Sequence, residues 1–196
     1  MPNWCSTRIT INHESESELK NLEALINACM EKNYMKNGFG LDWLGNIVGN
    51  AGIGTIDIGK ETDLRCRGRL NYMELYDNQL IVDTETAWVP MLKMWAKLLD
   101  KYLPDAEIIY NAEEPGCCIY ATNDPDLINL YIIDSWNEDI ESNWKANESK
   151  VINVLQKLLK TEETDINKLL EIFNKSDEDY DISINKWEFI EIEEWD

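Results

Sequence analysis

The sequence predicts an α+β fold, an antiparallel sheet with helices on one face, followed by an acidic, mainly helical C-terminal extension. Three observations lead there. Apolar residues switch between period 2 and a helical period along the first 124 residues. Turn residues punctuate the segments, and the composition shifts near Asn123 to Pro125.

The elements follow in order. "NWCSTRITIN" (Asn3 to Asn12) places Cys5, Thr7, Ile9 and Ile11 on one side, which is strand periodicity. Ser15 with Glu18 makes a capping-box pattern, and Leu19, Leu22, Leu25, Ile26, Cys29 and Met30 then recur at helical spacing. From Asn33 to Lys60 the chain is rich in glycine and reads as an irregular loop or short helix. "RCRGRLNYMEL" and "NQLIVDTETAW" flank Tyr76-Asp77-Asn78 and predict a hairpin. Pro90 suits a first helical turn, Met91, Leu92, Trp95, Leu98, Leu99 and Tyr102 supply an apolar face, and Pro104 stops the helix. "AEIIYN" and "CCIYAT" read as strands joined through a type II turn centred on Pro115-Gly116, which puts Cys117 and Cys118 on a strand with at least one thiol buried and inert. The order is β-α-β-β-α-β-β, and its first six elements match the ferredoxin-like split βαβ pattern.

Beyond Asn123, "DPDLINLYIIDSW" reads as a helix with Pro125 in its first turn, and "SKVINVLQKLLK" and "DINKLLEIFNK" as two more. The expected domains are therefore residues 1–124 and 125–196.

Charge limits the function. The net formal charge is −20, and the isoelectric point of about 4.3 agrees with it. Such a field repels polyanions, so nonspecific nucleic-acid binding is excluded as the main activity and basic proteins or cations become the favoured partners. The smaller C-terminal part is the more acidic: residues 125–196 hold 19 acidic against 7 basic side chains, residues 1–124 hold 19 against 11. Five cysteines, odd in number and without C-x-x-C spacing, follow a start that has no apolar signal segment, which predicts free thiols in a reducing cytoplasm. No apolar run approaches the roughly 20 residues that span a bilayer, so no membrane partner is expected.

The chemical inventory is sparse. His13 is the sole histidine and sits at a helix start, where a capping or surface role suits it better than catalysis. Glu113 and Glu114 fall beside a turn and read as its solvating groups. The glycines Gly49, Gly52, Gly54 and Gly59 do not form a phosphate loop. Arg65, Arg67 and Arg69 alternate on one strand face, suited to phosphate or to an acidic partner, although the surplus carboxylates favour internal pairing.

The segment "DEDYDISINKWEF" resembles an EF-hand loop. Asp177, Asp179, Asp181, Ser183 through its carbonyl, Asn185 and Glu188 fill ligand positions 1, 3, 5, 7, 9 and 12 for Ca2+. Ile182 departs from the motif where glycine makes the sharp turn, and a competing strand reading makes a hairpin with Asn185-Lys186 at its tip.

"MPNWCSTRITI", "DTETAW" and "EEPG" together resemble the YubB-type ferredoxin-like family of phage and conjugative-plasmid proteins. The matching residues are Met1 to Cys5, Asp83 to Trp88 and Glu114 to Gly116, and the likeness covers about the first 124 residues. It implies the fold and an origin in mobile elements, but no activity. The chain departs from it at "LGNIVGNAGIG", where relatives place a Trp-Gly-Thr-Lys-Trp-like segment. Core packing and turn hydrogen bonding are expected of Asn3, Trp4 and Trp88.

The acidic C-terminal region interleaves carboxylates with tryptophans. Glu138, Asp139, Glu141, Trp144, Glu191, Glu193, Glu194 and Trp195 are the candidate partner-binding residues, since exposed aromatics concentrate at binding hot spots. The expected function is a non-enzymatic inhibitor of a host nucleic-acid-targeting defence protein, of anti-CRISPR or anti-restriction type. Its partner is then a basic nuclease, and no nucleic acid is contacted directly. The alternatives are a calcium-responsive module using the EF-hand-like loop and a nucleic-acid-processing factor using the three arginines.

Overall fold

A computed structural model describes residues 3–56, 64 and 66–195. They form an α+β protein of two compact units: residues 1–124 with 190–196, and residues 125–189. The division after Asp124 coincides with the shift in composition, while the last residues return to the first unit.

In the first unit, β1 (Trp4–Asn12), β2 (Gly68–Tyr76), β3 (Gln79–Ala87), β4 (Glu107–Glu114) and β5 (Ile119–Thr122) lie in the order β2-β3-β1-β4-β5, part of a six-stranded sheet. Each of the ladders β1/β3, β1/β4, β2/β3 and β4/β5 is antiparallel. The sixth place is entered by the C-terminal segment, where the Ile190 N–H donates to the Thr122 carbonyl at 2.9 Å.

Alternation builds the core. Along β1, Cys5, Thr7, Ile9 and Ile11 are buried while Trp4, Ser6 and Arg8 are exposed. That buried face shares one core with the apolar stripes of α1 (Glu16–Met30), α2 (Leu44–Asn50) and α3 (Leu92–Tyr102). Each fully buried Leu or Ile contributes about 1.5–3 kcal/mol of apolar burial. Ser15 caps α1 by accepting from the Glu18 N–H at 3.4 Å. The short α2 lies inside the glycine-rich stretch. Asn46, fully buried, ties its start to the preceding loop by accepting from the Tyr34 N–H and donating to the Gly40 and Leu41 carbonyls. Asp77, at φ 50°, turns the β2–β3 hairpin.

Three expectations change in this unit. Pro115–Cys117 form a 3-10 turn rather than a type II turn, because the Glu114 carboxylate accepts from the Gly116 and Cys117 N–H groups and winds the chain around itself. That extra turn delays β5 to Ile119, so Cys117 and Cys118 are both exposed rather than on a strand. Trp4 and Trp88 are exposed, not core: Trp4 stands edge-on to Phe39 at 5.9 Å, and Trp88 sits at φ 73° with its N–H on the Asn3 carbonyl.

The arginines resolve in part. Arg65 lies outside the described residues, and Arg67 precedes β2. Arg69 pairs across the ladder with Glu85 at 2.6 Å, and Arg8 grips Asp83 with two hydrogen bonds of 2.8 Å, so internal pairing accounts for both.

The second unit has a three-stranded sheet of order β7-β6-β8, from β6 (Tyr131–Ser135), β7 (Asn143–Ala146) and β8 (Ile182–Lys186), with α4 (Glu148–Leu159) and α5 (Ile166–Lys175). It is not mainly helical. Pro125–Leu127 make a single 3-10 turn and the apolar run becomes β6, a strand buried at Tyr131, Ile132 and Ile133 in succession. The two remaining helices lie where periodicity puts them, capped by Asn147 and Asp165. Val151, Leu155, Ile166 and Leu169 close their core against Tyr131 and Ile133.

Candidate acidic interaction surface

The EF-hand-like residues lie on a loop and a strand. Asp177, Asp179 and Asp181 are exposed in the loop after α5. The Asp179 carboxylate accepts from the Asp181 N–H at 3.1 Å, and the chain turns at Asp181, φ 54°, one residue before the place where a hand carries glycine. Ile182 then starts β8, which pairs with β6: Ile182 opposite Ser135, Ser183 opposite Asp134, Asn185 opposite Ile132. The strand pairs with β6 rather than folding into a hairpin tipped at Asn185-Lys186. Glu188 follows the buried Trp187 and is exposed on the two-residue strand β9 (Glu188–Phe189). Among the described residues no group of three or more His, Cys, Asp or Glu is placed to hold a metal ion.

One measurement follows. Trp187 is buried and its indole N–H donates to the Trp144 carbonyl at 3.0 Å. Titration with Ca2+ to millimolar concentration is expected to leave its emission unchanged, since β8 would have to leave the sheet to form a hand. A saturable change would establish the calcium-responsive module instead.

The same loop meets a second acidic loop, between β6 and β7. The Trp136 N–H donates to the Asp181 carbonyl at 2.8 Å, and the Asn137 side-chain amide donates to the Tyr180 carbonyl at 3.3 Å. Tyr180 stacks on Phe173 at 5.5 Å, and Lys157 of α4 donates to the Asp139 carbonyl at 3.1 Å. Both loops are thereby fastened to the helices. Their convergence gathers Glu138, Asp139 and Glu141 beside Asp177, Glu178, Asp179 and Asp181, all exposed. Among the described residues none of these seven carboxylates is in an ion pair; the pairs lie elsewhere, such as Lys168 with Glu163 and Lys175 with Glu171. Trp136, on the same loop as Glu138, Asp139 and Glu141, has 72% of its surface exposed.

The other candidate residues are placed differently. Trp144 is exposed on β7. Glu191, Glu193 and Glu194 belong to the tail of the first unit, where Glu191 and Glu194 form a reciprocal capping box around a 3-10 turn. Trp195 is half-buried and its indole N–H donates to the Tyr110 hydroxyl at 2.7 Å. Trp136 is one of the tryptophans that interleave the acidic segments, though not one of the contact residues chosen from the sequence, and the meeting of the two loops was not legible because their contact spans more than 40 residues of chain.

At one end of the first sheet, Glu114 keeps 4% of its surface exposed. Burial alone would raise its carboxyl. The Cys117 thiol and N–H, the Gly116 N–H and the Asn3 amide outweigh that and hold it below the ordinary carboxylate range. This carboxylate is a turn cap. His13 caps too, accepting from the Ser15 N–H at 3.1 Å. No family model, no curated protein and no solved structure matches this chain.

Proposed function

We propose that this is a non-enzymatic acidic binding protein of a phage or other mobile element. It acts in the cytoplasm on a host nucleic-acid-targeting defence protein, of CRISPR or restriction type, by occupying that protein's basic channel. The observation that carries this reading is the convergence of the loops 136–142 and 177–181. Seven exposed carboxylates, without ion pairs among the described residues, share these two joined loops with one exposed tryptophan. Carboxylates so presented mimic a phosphate array, and an aromatic among them supplies a face for an arginine or lysine head. The strand order β2-β3-β1-β4, with antiparallel neighbours and a helix in each crossover that skips one strand, supports the ferredoxin-like assignment. Among the described residues no helix is long and apolar enough to cross a membrane, so no membrane enters the proposal.

The test is affinity capture with tagged full-length protein from nuclease-treated host lysate at low and high salt, read by mass spectrometry. A basic nuclease or its complex retained at low salt and released at high salt is the expected result. Retention of no nucleic-acid-binding protein, or retention indifferent to salt, would overturn the electrostatic mechanism.

A further inference from the structure

We propose that Cys117 and Cys118 are a redox-active dithiol that reacts with a small-molecule disulfide and closes to an intramolecular Cys117–Cys118 bridge. The cysteines sort sharply by place. Cys5 and Cys29 are buried in the core, and Cys66 is half-buried. Burial pushes the Cys5 thiol up to about 11 and the Cys66 thiol up to about 12, which leaves both protonated and inert. Cys117 and Cys118 are exposed and adjacent on the 3-10 turn that follows Glu114.

The turn is built around these sulfurs. Cys118 caps the 3-10 turn at φ 56°, ψ 33°, in the left-handed region, which is uncommon for a non-glycine residue, and its N–H donates to the Pro115 carbonyl. The Asn3 side-chain amide donates to the Cys117 sulfur at 3.7 Å. A Cβ on Gly116 would lie 2.5 Å from that amide nitrogen, so Asn3 is seated directly on the turn. The Cys117 thiol in turn faces the Glu114 carboxylate, whose hydrogen bond, followed by burial, raises the thiol above its ordinary value.

This asymmetry sets the order of events. Glu114 retains the Cys117 proton, so Cys118 attacks first. Its thiolate, having lost its proton to solvent, displaces one thiolate from the disulfide RSSR, which leaves as RSH after taking a proton. Cys117 then attacks the Cys118 sulfur of the mixed disulfide, its proton passing to Glu114 and on to solvent, and the second RSH leaves. Two protein thiols are oxidised to one disulfide, and one small disulfide is reduced to two thiols. Neighbouring Cα atoms are about 3.8 Å apart, shorter than the about 4.4–6.8 Å that an unstrained disulfide spans, so the bridge is strained. The bridge is therefore easily reduced again, the property of a switch rather than of a staple. Closing it removes the thiol donor from Glu114, leaving that carboxylate to the Gly116 and Cys117 N–H groups and the Asn3 amide.

The experiment treats reduced full-length protein with excess oxidised glutathione under native conditions, quenches with acid, and reads intact mass and peptide map. The expected product has lost two hydrogens, localised to the peptide holding Cys117 and Cys118, and dithiothreitol reverses it. Cys117→Ser is expected to retain one glutathione on Cys118. Cys118→Ser is expected to acquire glutathione on Cys117 at least ~10-fold more slowly. A wild-type protein that stays unmodified, that ends as a lasting glutathione adduct, or that links two molecules would overturn the proposal. Equal rates in the two serine variants would overturn the assigned order.

Discussion

Replacing Glu138, Asp139, Glu141, Asp177, Asp179 and Asp181 together with lysine is expected to weaken binding of the captured partner by ~10³-fold. The magnitude comes from the pairs that are lost. Exposed charge pairs each contribute about 0.2–1 kcal/mol, and those that become desolvated at an interface reach about 1.5–7 kcal/mol. Six reversals remove the attraction and add repulsion, so about 4 kcal/mol, or ~10³-fold, is the expected size. The fold should tolerate the change. All six side chains are exposed, and among the described residues the only hydrogen bond to one of their carboxylates is the one that the Asp181 N–H donates to Asp179. Trp136→Ala isolates the aromatic contribution and is expected to cost about 2 kcal/mol of affinity, the size of a hot-spot residue. Isothermal titration at two salt concentrations, with circular dichroism to confirm folding, measures both. A reversed variant that binds within threefold of the wild type would exclude the two loops as the contact surface. Reversal of Glu191, Glu193 and Glu194 provides the comparison at the first unit's tail.

Much of the first unit was legible in the sequence because each of its elements buries only one side. Cys5, Thr7, Ile9 and Ile11 alternate with exposed residues, so β1 declares its period, and Leu92, Trp95, Leu98 and Leu99 do the same for α3. The errors fall where that condition fails. Tyr131 to Ile133 are buried in succession, so β6 carries no alternation and its apolar run read as a helix. The 114–118 turn was misread because a side chain, Glu114, and not the Pro-Gly pair alone, sets its geometry. The EF-hand likeness has a related origin. Ligand positions 7 and 9 of a calcium loop are two residues apart, and so are Ser183 and Asn185 on one side of a strand, so spacing alone does not separate the two structures. As for the candidate surface, the sequence supplied Glu138, Asp139 and Glu141 as contact residues and Asp177, Asp179 and Asp181 as calcium ligands, but not that the two groups meet. The hydrogen bonds of Trp136 and Asn137 to Asp181 and Tyr180 join segments that no local pattern connects. Trp195 went the other way: an aromatic chosen for its acidic surroundings is engaged with Tyr110.

That engagement carries the second large prediction. Tyr110 is fully buried on β4, and its hydroxyl donates to the Ile190 carbonyl at 2.7 Å while accepting from the Trp195 indole N–H at 2.7 Å. One oxygen thus fastens the C-terminal segment to the first sheet. Tyr110→Phe removes it and leaves both partners unsatisfied where they are half-buried, so a loss of about 1–3 kcal/mol is expected, read as a lower urea midpoint. The same hydroxyl makes the latch sensitive to alkali. Burial pushes its pKa up from 10.0 to about 12; the Trp195 hydrogen bond opposes this, while Glu191, Glu194 and Cys5 add to it. The folded-state value lies above the unfolded one, so the stabilisation is complete below pH 10 and is lost as pH rises towards 12. A shift of that size corresponds to at most about 3 kcal/mol. Cys5 and Cys66, raised to about 11 and about 12, titrate in the same window with the same sign, so the wild-type decline is a joint effect. The difference between wild type and Tyr110→Phe isolates the tyrosine: their stability gap is expected to narrow between pH 10 and 12. A gap that stays constant across that range would show that the Tyr110 hydroxyl does not hold the tail.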